Sequence, residues 1–159
     1  MKKIIKTLSI LLVFTMVITL SGCGSNNVEG SLEEILERIY KDIPSDEMPM
    51  LGNIDVSKDM ADNIEYYIGT RDIEYKDILA SEPMMSSVAY SVVLVRMQEG
   101  ADIEDAKSKI LDNVDPRKWL CVEVAKEDVI VKNKGDLIIL IMVSDSATRE
   151  KIEKGFDNL

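Results

Sequence analysis

Leu137-Ile138-Ile139-Leu140-Ile141-Met142-Val143 is the most apolar run of the chain beyond its N-terminal leader. A run of this length, rich in β-branched residues and bounded by polar ones, reads as a strand, and its unbroken apolarity makes it a central one. Just upstream, Lys132-Asn133-Lys134-Gly135 has the look of a hairpin turn with its glycine left-handed. Val129 to Lys132 and Leu120 to Ala125 read as strand-like, interrupted at Lys126-Glu127-Asp128. Just downstream, Asp145 or Ser146 starts a final helix with Thr148, Ile152, Phe156 and Leu159 on one face.

Working back toward the N-terminus, Val88 to Arg96 is rich in β-branched and aromatic residues and predicts a strand buried on much of both faces. Gly100 closes the turn after it, and Asp102 caps a helix with Ile103, Ala106, Ile110, Leu111 and Val114 at helical spacing. The C-terminal half therefore reads β-α-β-β-α. Upstream, Ser31 and Glu34 match a capping box for a helix carrying Leu32, Ile35, Leu36, Ile39 and Ile43, which Pro44 stops. Ser45 to Asn53 reads as a loop, Lys58 to Tyr67 as a second helix ended by Gly69, and Asp72 to Ala80 as a third short helix before Pro83. The expected fold class is α+β, with a small antiparallel or mixed sheet, helices packed on it, and the N-terminal helices as cover or cap.

The first 22 residues are a secretory signal to be set aside from fold reasoning. Lys2, Lys3 and Lys6 precede an apolar run from Leu8 to Leu20 that is short for a membrane span. Leu20-Ser21-Gly22-Cys23 resembles the lipobox of bacterial lipoproteins. That resemblance implies cleavage before Cys23 and a diacylglyceryl group on its sulfur, hence a location on the outer face of the cytoplasmic membrane. Two acyl chains make such an anchor durable without a transmembrane helix. Residues 23–30 are then the lipidated cysteine and a flexible tether, and 31–159 a single domain.

Removing 22 residues from 159 leaves 137, and the leader holds three of the 19 basic side chains and none of the 29 acidic ones. The mature charge is then −13, which speaks against nucleic acid and against adhesion to anionic lipid headgroups. Cys121 alone remains as a thiol once Cys23 is lipidated, so no internal disulfide can form. In Trp119-Leu120-Cys121-Val122 it reads as a small buried hydrophobe, with a reactive thiol beside Arg117 and Lys118 as the alternative.

Chemistry is scarce. With no histidine in the chain, the usual general base, the Ser-His and Cys-His pairs and His-containing zinc sites are all missing. No nucleophile elbow or phosphate-binding glycine loop is present. Acidic pairs such as Glu104 and Asp105 are what so acidic a chain contains by chance, and no aromatic sugar platform accompanies them. Asn53, Asp55, Ser57, Asp59 and Asp62 alternate like calcium ligands, but Lys58 and Ile64 stand where an EF-hand loop needs Gly and Glu. No catalytic residue, metal ligand set or cofactor is assigned.

Methionine is the odder signal. Met48-Pro49-Met50 and Met84-Met85 sit in two loops, each just after an acidic residue and beside a proline. They read as plugs onto the core, as an adaptable contact surface, or as soft ligands for Cu(I). Trp119 reads first as a core side chain at a strand entry and second as an interface anchor. Met48, Met50, Met84, Met85 and Trp119 are thus the candidate partner contacts.

Tyr66-Tyr67-Ile68-Gly69, Pro83-Met84-Met85, the strand Ser91 to Met97 with the following Gly100-Ala101-Asp102, and Gly135-Asp136-Leu137-Ile138-Ile139-Leu140 together resemble a family of small Gram-positive lipoproteins classed as a domain of unknown function. The resemblance runs from about Leu32 to Ser144. It implies an extracytoplasmic, lipid-anchored domain and brings no catalytic residues with it. The expected function is a non-catalytic interaction or accessory module with an envelope protein partner; the alternative is a lipoprotein that binds a small ligand or a metal. An apolar patch around the methionine loops and Trp119 would favour the first, and a deep pocket with converging polar groups the second.

Overall fold

Alternate residues of two central strands feed two separate cores, one on each face of a five-stranded sheet. The computed structural model describes residues 27–159; the expected leader and Cys23, the expected lipidation site, lie outside that range. The chain runs α1 (Leu32–Tyr40), β1 (Leu51–Asp55), α2 (Val56–Asp59), α3 (Ile64–Ile68), β2 (Tyr75–Pro83), β3 (Tyr90–Met97), α4 (Ile103–Asn113), β4 (Ile130–Lys134), β5 (Leu137–Val143) and α5 (Ser146–Asp157). The sheet order is β1-β2-β3-β5-β4 and every pairing is antiparallel. The fold is α+β.

The period-two geometry of β3 and β5 sets the layers. Tyr90, Val92 and Leu94 with Leu137, Ile139, Ile141 and Val143 pack against α1 and α5. Val93, Val95 and Met97 with Ile138, Leu140 and Met142 pack against α2, α3, α4 and the irregular chain that follows α4. Burying one such side chain stabilises the fold by about 1.5–3 kcal/mol, and β3 and β5 are buried almost end to end. The helices begin at proper caps. Ser31 and Glu34 form the reciprocal capping box, and Asp55, Asp102 and Asp145 accept from the backbone N–H three residues on. Asp55 is therefore committed to α2 rather than to a calcium loop.

The structure corrects several expectations. Asp72 to Ala80 is not a helix; Tyr75–Pro83 is β2, because its pairing between β1 and β3 outweighs the helix propensity of Lys, Leu and Ala. The loop assigned to Ser45–Asn53 ends in β1, an edge strand. The helix read from Lys58 to Tyr67 is broken into α2, a 3₁₀ turn at Ala61–Asn63, and α3. Leu120 to Ala125 is irregular, since Cys121 takes a left-handed φ of +60° that no strand continues through. The hairpin tip lies at Gly135-Asp136, two residues beyond the centre of the expected turn, with Gly135 left-handed as anticipated. Residues 27–30, expected to be flexible tether, are packed on the domain, with Val28 in the α1/α5 core.

Candidate functional site

The β1–β2 register places Leu51 opposite Pro83, so the two methionine loops leave the sheet side by side. Met84 N–H donates to the Met50 carbonyl at 3.0 Å, and Leu120 N–H donates to the Ser86 carbonyl at 3.1 Å. These bonds tie three loops into one corner. Met50, Met84, Met85 and Leu120 are 77, 72, 66 and 68% exposed there. They are four of the six large hydrophobic side chains that stand exposed among the described residues. Met48 does not join them; it is half-buried against the α1/α5 core and acts as a plug. Trp119 is buried in the opposite core, so the core reading holds for it. Cys121, expected to be buried, is exposed beside this corner, because its backbone turns outward at φ +60°.

Beneath the corner lies a polar hub that the sequence reading did not assemble. Glu82, the penultimate residue of β2, and Ser91, near the start of β3, point into the α4 side of the sheet. Lys118 reaches them from the irregular segment. Its Nζ donates to Glu82 Oε1 at 2.7 Å and to Ser91 Oγ at 3.1 Å, and Ser91 Oγ donates to the same carboxylate oxygen at 2.6 Å. The Lys118 side chain is 3% exposed and that of Glu82 10%. Tyr66, Tyr67 and Trp119 surround the ammonium, with ring centroids at 4.6, 5.5 and 5.5 Å. Cation–π attraction of this kind strengthens when the cation is desolvated. Burial pulls the Lys118 ammonium below the usual lysine range, and Glu82 opposes that shift. Burial likewise raises the Tyr66 and Tyr67 phenols, with the Glu82 charge adding to the effect. Chemically the hub is a lock: it holds the irregular segment across the ends of β2 and β3, and with it the loops that display the methionines. The Trp119 Nε1–H beside it has no hydrogen-bond partner.

On the other face, α1, the Ser45–Pro49 segment and β1 border a groove of about 400 Å³ with a mainly apolar lining that includes Leu36, Met48 and Leu51. Tyr40 stands in its wall and accepts a hydrogen bond from the Tyr90 hydroxyl at 2.9 Å. Burial pushes the Tyr40 phenol up to about 12, against the lowering influence of the Ser81 and Tyr90 hydroxyls. Ser81 Oγ is fully buried behind it, without a hydrogen bond of proper geometry. Among the described residues no group of three or more Cys, Asp or Glu side chains is gathered as a metal site, and no helix is long and apolar enough to cross a membrane.

The hub's signal in the sequence was weak. Glu82 ends an apolar stretch and Lys118 precedes the sole tryptophan, but 36 residues separate them. Compared with protein-family models, with curated proteins and with solved structures, the chain matches none.

Proposed function

We propose that this chain is a lipid-anchored extracytoplasmic module that binds an envelope protein through the methionine corner and performs no chemistry of its own. The convergence of Met50, Met84, Met85 and Leu120 carries the reading. Clustered exposed apolar side chains on a small domain mark interaction surfaces, and methionine is enriched in them because its flexible thioether repacks against different partners. A polar hub that fixes the loops pre-organises the surface, which lowers the ordering cost of binding. The lack of histidine and the commitment of the buried Ser91 hydroxyl to Glu82 support a non-catalytic role. The anchor reading rests on Leu20 to Cys23.

Crosslinking in intact cells tests the proposal. The anchored protein should capture one abundant partner. A Cys23→Ala form should lose it by leaving the membrane, and Met84→Ser/Met85→Ser should lose it while staying anchored. Capture that survives the methionine substitutions would overturn the assignment of the surface. The apolar groove beside Tyr40 and the meeting of the two methionine loops favour a second reading, a small-ligand or Cu(I)-binding lipoprotein. Titration with Cu(I) against a competing chelator separates the two, since binding no tighter than micromolar removes the metal.

A further inference from the structure

The N-terminal segment 27–30 and the methionine corner lie at opposite ends of the sheet. Residues 27–30, the first described after Cys23, lie at the end where β2 begins, β3 ends and the β4–β5 hairpin turns. Arg96 holds them there. One arm of its guanidinium donates to the Val28 carbonyl at 2.7 Å and to Asp136 Oδ1 at 3.3 Å, and the other donates to the Gly30 carbonyl at 3.0 Å. Asp136 N–H donates to Asn27 Oδ1 at 3.3 Å, and Val28 is buried beneath. The Arg96 side chain is 12% exposed; its bonds to Val28 and Asp136 are partly buried, and the one to Gly30 is exposed. The methionine corner lies where β2 ends and β3 begins. Between the two ends runs the length of β3, roughly 25 Å at about 3.3 Å per residue.

Resting on the anchorage proposed above, we infer that Arg96 clamps the domain end-on to the bilayer, so that the methionine corner faces away from the protein's own membrane and receives a protein rather than lipid. The chain between Cys23 and Asn27 spans at most about 14 Å when fully extended, at about 3.6 Å per residue. That is too short to carry the far end of the sheet down to the headgroups unless residues 27–30 peel away. The excess of acidic side chains opposes lying flat on an anionic leaflet. The clamp therefore shortens the tether and sets a standing height for the contact surface.

The test uses the full lipidated chain in vesicles of phosphatidylcholine and phosphatidylglycerol that carry an acceptor dye on the headgroups. In a Cys121→Ser background, a donor dye is placed at Met84→Cys or at Glu99→Cys, an exposed position at the anchored end. Energy transfer should be clearly higher from position 99 than from position 84. Arg96→Lys keeps the charge but lacks the planar fork that serves both carbonyls, and it should bring the ratio toward one while the protein still floats with the vesicles. Equal or greater transfer from position 84 in the parent protein would overturn the inference and assign the corner to the bilayer. An unchanged ratio in Arg96→Lys would overturn the role of the clamp. Failure of the protein to float would instead overturn the anchorage itself.

Discussion

At the scale of single residues, the Lys118–Glu82 pair decides whether the methionine corner has a shape. Two desolvated charges are tolerated only as a pair, and removing one partner of a buried ion pair costs about 3–5 kcal/mol because the other is stranded. Lys118→Met should therefore destabilise the domain by about that amount at neutral pH. Adding Glu82→Gln should recover part of the loss. Urea unfolding of the parent and the two variants checks this, and a cost below about 1 kcal/mol, the level of an exposed pair, would show that the hub locks nothing. Little of this was legible beforehand. Ser91 sits inside a strand that reads as apolar throughout, and nothing local says that Lys118 crosses the sheet to reach it. Met84 and Met85 stood out by composition alone; that Met50 joins them while Met48 does not is a consequence of the β1–β2 register.

At the scale of elements, close approach between helices limits what the sequence can vary. A Cβ on Gly155 in α5 would lie 2.3 Å from the Ile39 carbonyl oxygen of α1, so the two helices meet backbone to side-chain-free backbone. Gly155→Ala would add helix propensity in isolation. In place it should instead cost about 1–3 kcal/mol, as overpacking does, read as a lowered urea midpoint. A variant as stable as the parent would mean that α1 and α5 slide apart freely. The elements that were legible are those whose cause is local. The caps at Ser31, Asp102 and Asp145 and the left-handed Gly135 declare themselves in a few residues. Tyr75–Pro83 did not, because a strand covered on both faces loses its alternation and its Ile-Leu-Ala core imitates a short helix. The segment after α4 misled in the other direction. Its apolar residues divide between a buried Trp119 and Val124 and an exposed Leu120 and Cys121, and the positive φ at Cys121 makes that division.

At the scale of the whole molecule, the α+β class was readable because β3 and β5 carry enough β-branched side chains to be interior strands whatever surrounds them. Which helices cover which face could not be read, but an unbroken apolar run has no preferred face and so feeds two cores. The same fact makes the molecule one cooperative unit. Ile138 and Ile139 are neighbours on β5, both fully buried, one facing α4 and the other facing α1 and α5. Truncating either to alanine should cost about 2–5 kcal/mol. Trp119, the sole tryptophan, reports only the α4 face. If the sheet couples the two layers, Ile139→Ala should shift the Trp119 fluorescence transition by as much as it shifts the far-ultraviolet circular dichroism transition, even though the cavity lies on the other side. Coincident transitions are the mark of two-state unfolding in a domain of this size. A Trp119 transition that stayed in place while the helical signal moved would mean that the α1/α5 layer melts by itself. The clamped N-terminal segment, whose Val28 belongs to that layer, would then be released before the methionine corner loses its shape.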